Sequence, residues 1–187
     1  WGLLFYTPSI VRSADLQGQL FSSGSGLSQS VVTALLQDSL GFLWIGTHEG
    51  LNKYDGYTFQ QFRFQPDTIS LSNNKIHCLA EGRDGVIWVG TDFGLNKLDR
   101  LRGYLWTYYL PDQIDTEDVS NQMIYSIHLD DLGRVWTRTE DKLSVLDPDK
   151  GKFESYELFS DGLNPSDRDE SYSMQMDSRG FLWIGTK

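Results

Sequence analysis

The sequence predicts an all-β protein, an incomplete β-propeller of about three and a half blades with four antiparallel strands each. The first observation is a ten-residue pattern that occurs four times, beginning at residues 38, 82, 130 and 177. The second is the spacing of its tryptophans, 44, 48 and 47 residues, at Trp44, Trp88, Trp136 and Trp183. A period of roughly 40–50 residues carried by strand-like segments is typical of propellers and solenoids. Thirteen per cent aromatic residues and 18 glycines suit a β-rich chain with many turns.

Each repeat is predicted to form four short strands, here called A to D, separated by turn residues. The first repeat predicts strands at 31–37, 42–47, 51–55 and 58–64, and the second at 75–81, 86–91, 95–99 and 103–109. The third predicts 122–129, 134–139, 143–147 and 152–158, and the fourth only A at 171–177 and B at 181–186. A glycine three residues before each tryptophan is expected to adopt a positive φ in the A–B turn. These glycines are Gly41, Gly85, Gly133 and Gly180.

Strand A is predicted to be the innermost strand of each blade. The residue ten before each tryptophan is always small, and the residue nine before is always apolar. Adjacent strand residues face opposite sides of a sheet, so strand A has small side chains on its closely packed side and bulky apolar side chains on the other. Cys78 occupies the small position and is interpreted as a core residue rather than a reactive thiol. A parallel β-helix is the second architecture considered; it does not explain the hairpin-like turns.

The predicted organisation is a leader followed by one partial propeller. Residues 1–18 are either the remainder of a secretory signal or an ordinary apolar segment. Residues 19–187 are the propeller, with repeats near 26–67, 68–114, 115–164 and 165–187, the last one truncated.

Composition excludes several classes of function. A net charge of −10 and a pI of about 4.6 argue against nucleic-acid binding and against contact with anionic membranes. The single cysteine excludes an internal disulfide and a paired-cysteine zinc site. The three histidines fall in unrelated positions without a ligand motif, and no nucleophile elbow is present. The sequence therefore predicts no catalysis, no metal and no cofactor in this segment.

The repeat unit resembles the two-component regulator propeller family. The resemblance is carried by Trp44-Ile-Gly-Thr47 followed by Gly50-Leu-Asn-Lys-Tyr-Asp55, and by the corresponding segments 88–91 and 94–99. Residues 26–31, Gly-Leu-Ser-Gln-Ser-Val, are similar to the way that family begins its first blade. The third repeat departs from the pattern, with Arg138 and Lys142 in place of glycines and Ser144 in place of asparagine.

The resemblance implies a periplasmic sensor module of a bacterial signal-transduction protein. In that family the propeller lies outside the cytoplasm, ahead of a membrane span and a histidine kinase or diguanylate cyclase. The chain is then expected to be the N-terminal part of such a sensor, with the output module elsewhere in the protein.

The face with the D–A connections and B–C tips is the candidate ligand site. These segments differ between repeats, whereas the A–B and C–D turns are short and alike. Function in a propeller usually lies in its variable loops. The residues at the B–C tips are the predicted ligand contacts: His48, Glu49, Asp92, Phe93, Glu140 and Asp141. The four repeat tryptophans are interpreted as packing residues rather than sugar-stacking residues.

Three functional hypotheses follow. The first is a binding module whose partner is a small molecule, for which a glycan fragment is one candidate, or another domain of the same protein. The second is a propeller lyase or hydrolase with an acid and a histidine at the axis, such as His48. The third is a structural interaction platform. Because the fourth repeat ends after strand B, pairing of two copies through open blade edges is also expected.

Overall fold

The computed structural model describes residues 18–66, 69–102, 104–109, 122–140, 142–158 and 173–185, and it is all-β. The first blade contains β1 (Val32–Gln37), β2 (Leu43–Thr47), β3 (Gly50–Tyr54) and β4 (Phe59–Phe62). The second contains β5 (Ile76–Glu81), β6 (Val86–Thr91), β7 (Gly94–Asp99) and β8 (Leu105–Tyr109). The third contains β9 (Ser126–Leu129), β10 (Val135–Arg138), β11 (Lys142–Asp147) and β12 (Lys152–Glu157). A last pair is β13 (Met174–Met176) with β14 (Leu182–Ile184).

Every sheet is an antiparallel meander in which sequential strands are neighbours. Neighbouring sheets meet mainly through their first strands, β1 with β5, β5 with β9 and β9 with β13. This arrangement is that of propeller blades set around an axis, with strand A innermost. The fold is therefore the predicted incomplete β-propeller.

A glycine in strand B allows neighbouring blades to pack closely. A Cβ on Gly46 would lie 2.6 Å from Ile76 Cγ2 of the next blade, and a Cβ on Gly90 would lie 2.8 Å from the carbonyl oxygen of Ile124. Both isoleucines are fully buried. Real Cβ atoms do not approach this closely, so the glycines of the Trp-Ile-Gly-Thr pattern are needed for inter-blade contact.

An aspartate six residues before the tryptophan organises the A–B turn. In the first blade Asp38 Oδ1 accepts backbone N–H bonds from Leu40 (3.0 Å) and Phe42 (2.9 Å), while Oδ2 accepts the Trp44 indole N–H at 2.7 Å. Asp130 and Asp177 form the same set of bonds in their own turns. The glycine three before each tryptophan completes the turn with φ between 76° and 89°.

The repeat tryptophans are not equally buried. Trp44 is 0% exposed and Trp88 2%, Trp136 is half-buried, and Trp183 is 61% exposed. Trp183 lies on β14, which has only β13 as a strand partner among the described residues. A tryptophan with a sheet on one side only cannot bury both faces of its ring.

The largest departures from the predicted strands lie at strand A and at the first residues of the chain. β9 begins at Ser126 rather than at residue 122. Just before it the Tyr125 N–H still donates to the Arg138 carbonyl oxygen at 2.9 Å, whereas the Ile124 N–H donates at 3.0 Å to Thr91 of the second blade. Ahead of the first blade, the chain forms a single bridge at Phe21 and a 3-10 turn, Ser23–Ser25. Phe21 is buried and packs on Tyr54 and Phe59 of the first blade. The leader assigned to residues 1–18 lies almost wholly outside the described residues, which begin at 18.

Candidate binding face

The connector face is the side of the propeller formed by the D–A connections and the B–C tips. Val32 at the start of β1 lies opposite Thr47 at the end of β2, and Ile76 lies opposite Thr91 in the same way. The point where the chain enters strand A is therefore next to the B–C tip of the same blade. The opposite side, which carries the A–B and C–D turns, is here called the turn face.

In the first two blades, a repeated polar network fastens the segment that leads into strand A to the B–C tip. In the first blade Asn52 Oδ1 accepts the Ser28 N–H at 2.8 Å, Asn52 Nδ2 donates to Ser28 Oγ at 2.8 Å, and Ser28 Oγ lies 2.8 Å from Thr47 Oγ1. The second blade repeats all three contacts with Asn96, Ser72 and Thr91. The asparagines and threonines are fully buried, so their polar groups must be satisfied internally. This network holds the connector face in a defined shape.

The third blade is built differently at the same place. Ser144 replaces the asparagine and its Oγ lies 2.8 Å from Ser155 Oγ on β12. Arg138 replaces the strand-B glycine, is 1% exposed, and donates from Nη1 to the Gly185 carbonyl oxygen at 2.9 Å. The departures seen in the sequence of the third repeat therefore change both the B–C tip and the contact with the following strands.

An apolar pocket, here called the connector pocket, opens on the connector face and has a volume of about 540 Å³. Its described lining joins the first D–A connection, the second B–C tip and β8: Phe64, Gln65, Pro66, Ile69, Ser70, Leu71, Ser72, Phe93, Trp106 and Thr107. Leu71 and Trp106 form a buried floor, whereas Ile69 is 74% exposed. Phe93 is half-buried and its backbone N–H donates to Thr91 Oγ1 at 3.0 Å.

A small polar cluster lies at the inner end of the same face. His77 Nε2 is 2.5 Å from Asp92 Oδ1, Lys75 Nζ is 3.5 Å from Asp92 Oδ2, and the His77 ring is 5.4 Å from the Tyr125 ring of the next blade. His77 lies where the register of β5 shifts between Ile76 and Cys78, which marks a β-bulge. Bulges redirect side chains and are frequent next to functional sites. The bulge therefore brings a histidine, a carboxylate and an ammonium group together.

The predicted ligand residues do not form one cluster. Asp92 belongs to the polar cluster and Phe93 lines the connector pocket. His48 and Glu49 are exposed at the first B–C tip, beyond the described lining of that pocket. Glu140 is half-buried in the third blade, and Asp141 lies outside the described residues.

Sequence reasoning missed His77, one of the three histidines for which it found no ligand motif. A β-bulge adds one residue without changing local composition, so alternation along strand A does not reveal it. The register shift occurs at the corresponding place in the first blade, between Val32 and Ala34, which leaves Thr33 at the position of His77. One signal in the sequence could have indicated His77. The position eleven residues before the tryptophan varies between repeats, as Thr33, His77 and Tyr125, while the positions on either side of it stay small or apolar.

The described residues contain neither a metal-binding group of side chains nor a membrane-spanning helix. Within those ranges, no three histidine, cysteine or acidic side chains are grouped closely enough to hold a metal ion. The same ranges contain no helix with the length and hydrophobicity needed to cross a membrane.

Comparison with known sequences identifies the repeat. Residues 26–49, 70–93 and 166–187 match the profile of the family described as two component regulator propeller. A 53-residue stretch is 51% identical to histidine kinase P4 from Formosa agariphila; it covers 28% of this chain and 4% of that protein.

Two solved structures are similar over most of the chain. An extracellular domain assigned to a hybrid two component system of B. thetaiotaomicron is 27% identical, with a TM-score of 0.73, over 89% of this chain and 23% of that one. A catalytically inactive virginiamycin B lyase from Staphylococcus aureus, solved with quinupristin, is 17% identical, with a TM-score of 0.62, over 82% of this chain and 48% of that one. The second likeness is one of fold alone. The chain spans less than half the length of each of these proteins.

Proposed function

Because the chain belongs to the two-component regulator propeller family, we propose that it is part of the periplasmic sensor of a bacterial signal-transduction protein and that its connector face binds a small molecule. The family match and the similarity to an extracellular domain at 27% identity support the sensor role. The connector pocket supports the binding role and is the observation on which the proposal depends.

The pocket has the properties of a small-ligand site. Its volume of about 540 Å³ falls within the range of roughly 300–1,000 Å³ that is usual for such sites. Its floor is apolar and its aromatic rings can pack against an apolar ligand surface. Polar side chains at its edge, Gln65 and Ser70, can fix the orientation of the ligand. Ser70 Oγ accepts the Gln65 N–H at 2.9 Å, so these two polar residues of the lining lie next to each other.

The expected ligand is a small molecule with an apolar face and several hydroxyl groups. A glycan fragment fits this description, because the C–H face of a sugar ring packs on aromatic rings while its hydroxyls bond to polar rim groups. Another domain of the same protein is the alternative occupant of the connector face.

A binding experiment with matched variants tests the proposal. Candidate small molecules, glycan fragments among them, are first screened by thermal shift on the purified protein, and those that bind are titrated by calorimetry. Phe93→Ala and Ile69→Ser should each weaken binding about tenfold, since each removes apolar contact worth on the order of 1.4 kcal/mol. Leu132→Ser is the control, because Leu132 is as exposed as Ile69 but belongs to the turn face. Equal affinity in all variants would place the ligand elsewhere.

The six tip residues predicted from the sequence are tested together in the intact sensor. They are His48, Glu49, Asp92, Phe93, Glu140 and Asp141. Simultaneous substitution should abolish the response to ligand without unfolding the propeller, as judged by circular dichroism. An unaltered response would exclude the B–C tips as the ligand site.

The pair formed by His77 and Asp92 favours one second candidate, a hydrolase or lyase. A carboxylate that accepts a bond from an imidazole can orient it as a general base. Incubation of the wild-type protein with each bound compound, followed by mass spectrometry, distinguishes the two functions. A sensor returns the compound unchanged, whereas an enzyme converts it and loses that conversion in His77→Gln.

A further inference from the structure

On the turn face, the gap between the first and second blades is closed by side chains. The Arg100 guanidinium donates to the Asp38 carboxylate and, at 2.8 Å, to Glu81 Oε1. Tyr104, which also belongs to the second blade, closes the gap as well, and its hydroxyl accepts the Lys53 ammonium N–H at 2.8 Å. The Asp38 side chain is fully buried, and the Arg100 side chain is 5% exposed.

Asp38, Arg100 and Tyr104 are the three residues that close the first gap. At the next gap, the residue equivalent to Asp38 is small and the residue equivalent to Arg100 cannot donate a hydrogen bond. Gly82 precedes Trp88 by six residues, as Asp38 precedes its own tryptophan. A Cβ on Gly82 would lie 2.6 Å from Trp88 Nε1, so the indole occupies the room of the missing carboxylate. Pro148 follows Trp136 by twelve residues, as Arg100 follows Trp88, and a proline side chain has no hydrogen-bond donor.

The third closing residue, Tyr104, is replaced by Gly151. Tyr104 lies two residues before Trp106, whose partner in the neighbouring strand is Leu98. Gly151 lies two residues before Phe153, whose partner is Leu146. Leu146 follows Trp136 by ten residues, as Leu98 follows Trp88. The backbone confirms the equivalence, because Tyr104 has φ 62° and Gly151 has φ 64°.

The three replacements leave an open cavity of about 480 Å³ between the second and third blades, here called the turn-face cavity. It is lined by Arg83, Val86, Trp88, Lys97, Asp99, Leu101, Arg102, Pro148 and Asp149. Its volume also falls in the usual range for small-ligand sites, roughly 300–1,000 Å³.

The cavity contains a lysine without the partner that its counterpart has. Lys97 follows Trp88 by nine residues, as Lys53 follows Trp44. Lys53 donates to Tyr104, whereas Gly151 offers Lys97 no hydroxyl. In the part of the chain that the structure describes, no carboxylate lies within ion-pair distance of Lys97. Its ammonium is 5.9 Å from the centroid of the Trp88 ring.

Three of the other four charged residues that line the cavity are already engaged, and the fourth, Asp149, is an acid that does not receive an anion. Arg83 donates to the carbonyl oxygen of Asp131, and Arg102 pairs with Asp99 at 3.5 Å. Asp99 also accepts the Leu101 N–H at 3.1 Å. Lys97 is therefore the cation best able to receive an anion from solution.

We propose that the turn-face cavity is a second binding site, for a small organic carboxylate that carries a flat apolar ring. The carboxylate pairs with the Lys97 ammonium, and the ring packs against the exposed Leu101 and the half-buried Pro148 of the lining. This site lies on the opposite side of the propeller from the connector pocket and does not depend on the function proposed for that pocket.

Calorimetric titration of the protein that contains this chain tests the site, with benzoate as the probe. Benzyl alcohol and benzylamine, which keep the ring but are neutral and cationic, are the comparison compounds. Benzoate should bind at least about tenfold more tightly than benzyl alcohol, because a bond to a charged group is stronger than a neutral one. Equal binding of the three compounds, or no binding of benzoate, would overturn the proposal.

Substitution of the two equivalent lysines provides a matched control. Lys97→Met keeps the length of the side chain and should weaken benzoate binding about tenfold or more. Lys53→Met makes the same change at the closed gap and should leave benzoate binding unchanged. An equal effect of both substitutions would show that the anion is not held at Lys97.

Refilling the cavity gives an independent result. Gly151→Tyr restores the residue found at the equivalent position, where Tyr104 adopts nearly the same φ. This variant should retain the wild-type circular dichroism spectrum and lose benzoate binding. A folded Gly151→Tyr variant that still binds benzoate would refute the site; if the variant does not fold, the lysine pair decides.

Discussion

Replacing Asp38 by alanine should destabilise the propeller more than any other single change in a turn. The Asp38 side chain is fully buried and accepts bonds from two backbone N–H groups, the Trp44 indole and the Arg100 guanidinium. Removing one partner of a buried ion pair costs about 3–5 kcal/mol, because the other charge remains in the interior. Arg100 keeps Glu81, which favours the lower end of that range, but the buried indole N–H then lacks its acceptor at a further cost of about 1–3 kcal/mol. We expect a total loss of about 4–6 kcal/mol, summed from these two contributions.

Equilibrium unfolding in urea, followed by tryptophan fluorescence, measures this loss. The double variant Asp38→Ala with Arg100→Met should be less destabilised than the sum of the two single variants, since neither Asp38 nor Arg100 is then left as the unpaired half of their ion pair. Asp177→Ala is the control, because the same turn bonds form there while Trp183 is exposed. A loss below about 1 kcal/mol for Asp38→Ala, the level of an ordinary surface change, would refute the reasoning.

Three further predictions concern other residues. Trp88→Ala should cost about 3–5 kcal/mol of unfolding free energy, the usual penalty for a buried aromatic residue, whereas Trp183→Ala, at a 61% exposed position, should cost far less in the same urea titration. Burial raises the pKa of Asp130, but hydrogen bonds from Trp136 and Arg134 outweigh this effect and hold the pKa below the ordinary 3.8. The contribution of Asp130 to stability is therefore present above pH 3.8 and lost as the pH falls below it. Asp130→Asn should reduce this pH dependence in acid titrations of unfolding. Burial also raises the pKa of the Cys78 thiol far above its usual value, so a thiol reagent should react with this half-buried residue much more slowly in the folded protein than after denaturation.

The blades could be predicted because their signals are local and repeated. Trp88, the glycine at 85 and the turn residues around them fix strand type and spacing together, and β6 begins and ends where predicted. The predicted start of β9 was wrong because the chain before Ser126 has strand-like composition, but Ile124 bonds to Thr91 of the second blade rather than to its own blade. Pairing depends on the neighbouring strand, which the local sequence does not contain.

The sites were harder to predict because they depend on contacts between repeats. The pattern marked Asp38 as a turn residue, but its bond to Arg100 joins residues 62 positions apart. Phe93 was predicted as a contact, while its neighbours in the connector pocket come from a separate connection of the chain. The turn-face cavity becomes visible only when Gly82, Pro148 and Gly151 are compared with the side chains that occupy the equivalent places one blade earlier.

Hydrogen–deuterium exchange of the intact protein, with and without the small molecule that triggers its response, tests the proposed ligand face most directly. Each peptide reports on one side of the propeller, so the measurement locates the bound molecule whatever its chemical structure. We predict slower exchange in residues 64–75 and 91–94 of the connector face and no change in the A–B turns at 38–41 and 130–133. Protection confined to those turns, or absent from residues 64–75 and 91–94 when the ligand is saturating, would contradict the proposal that the connector face binds it.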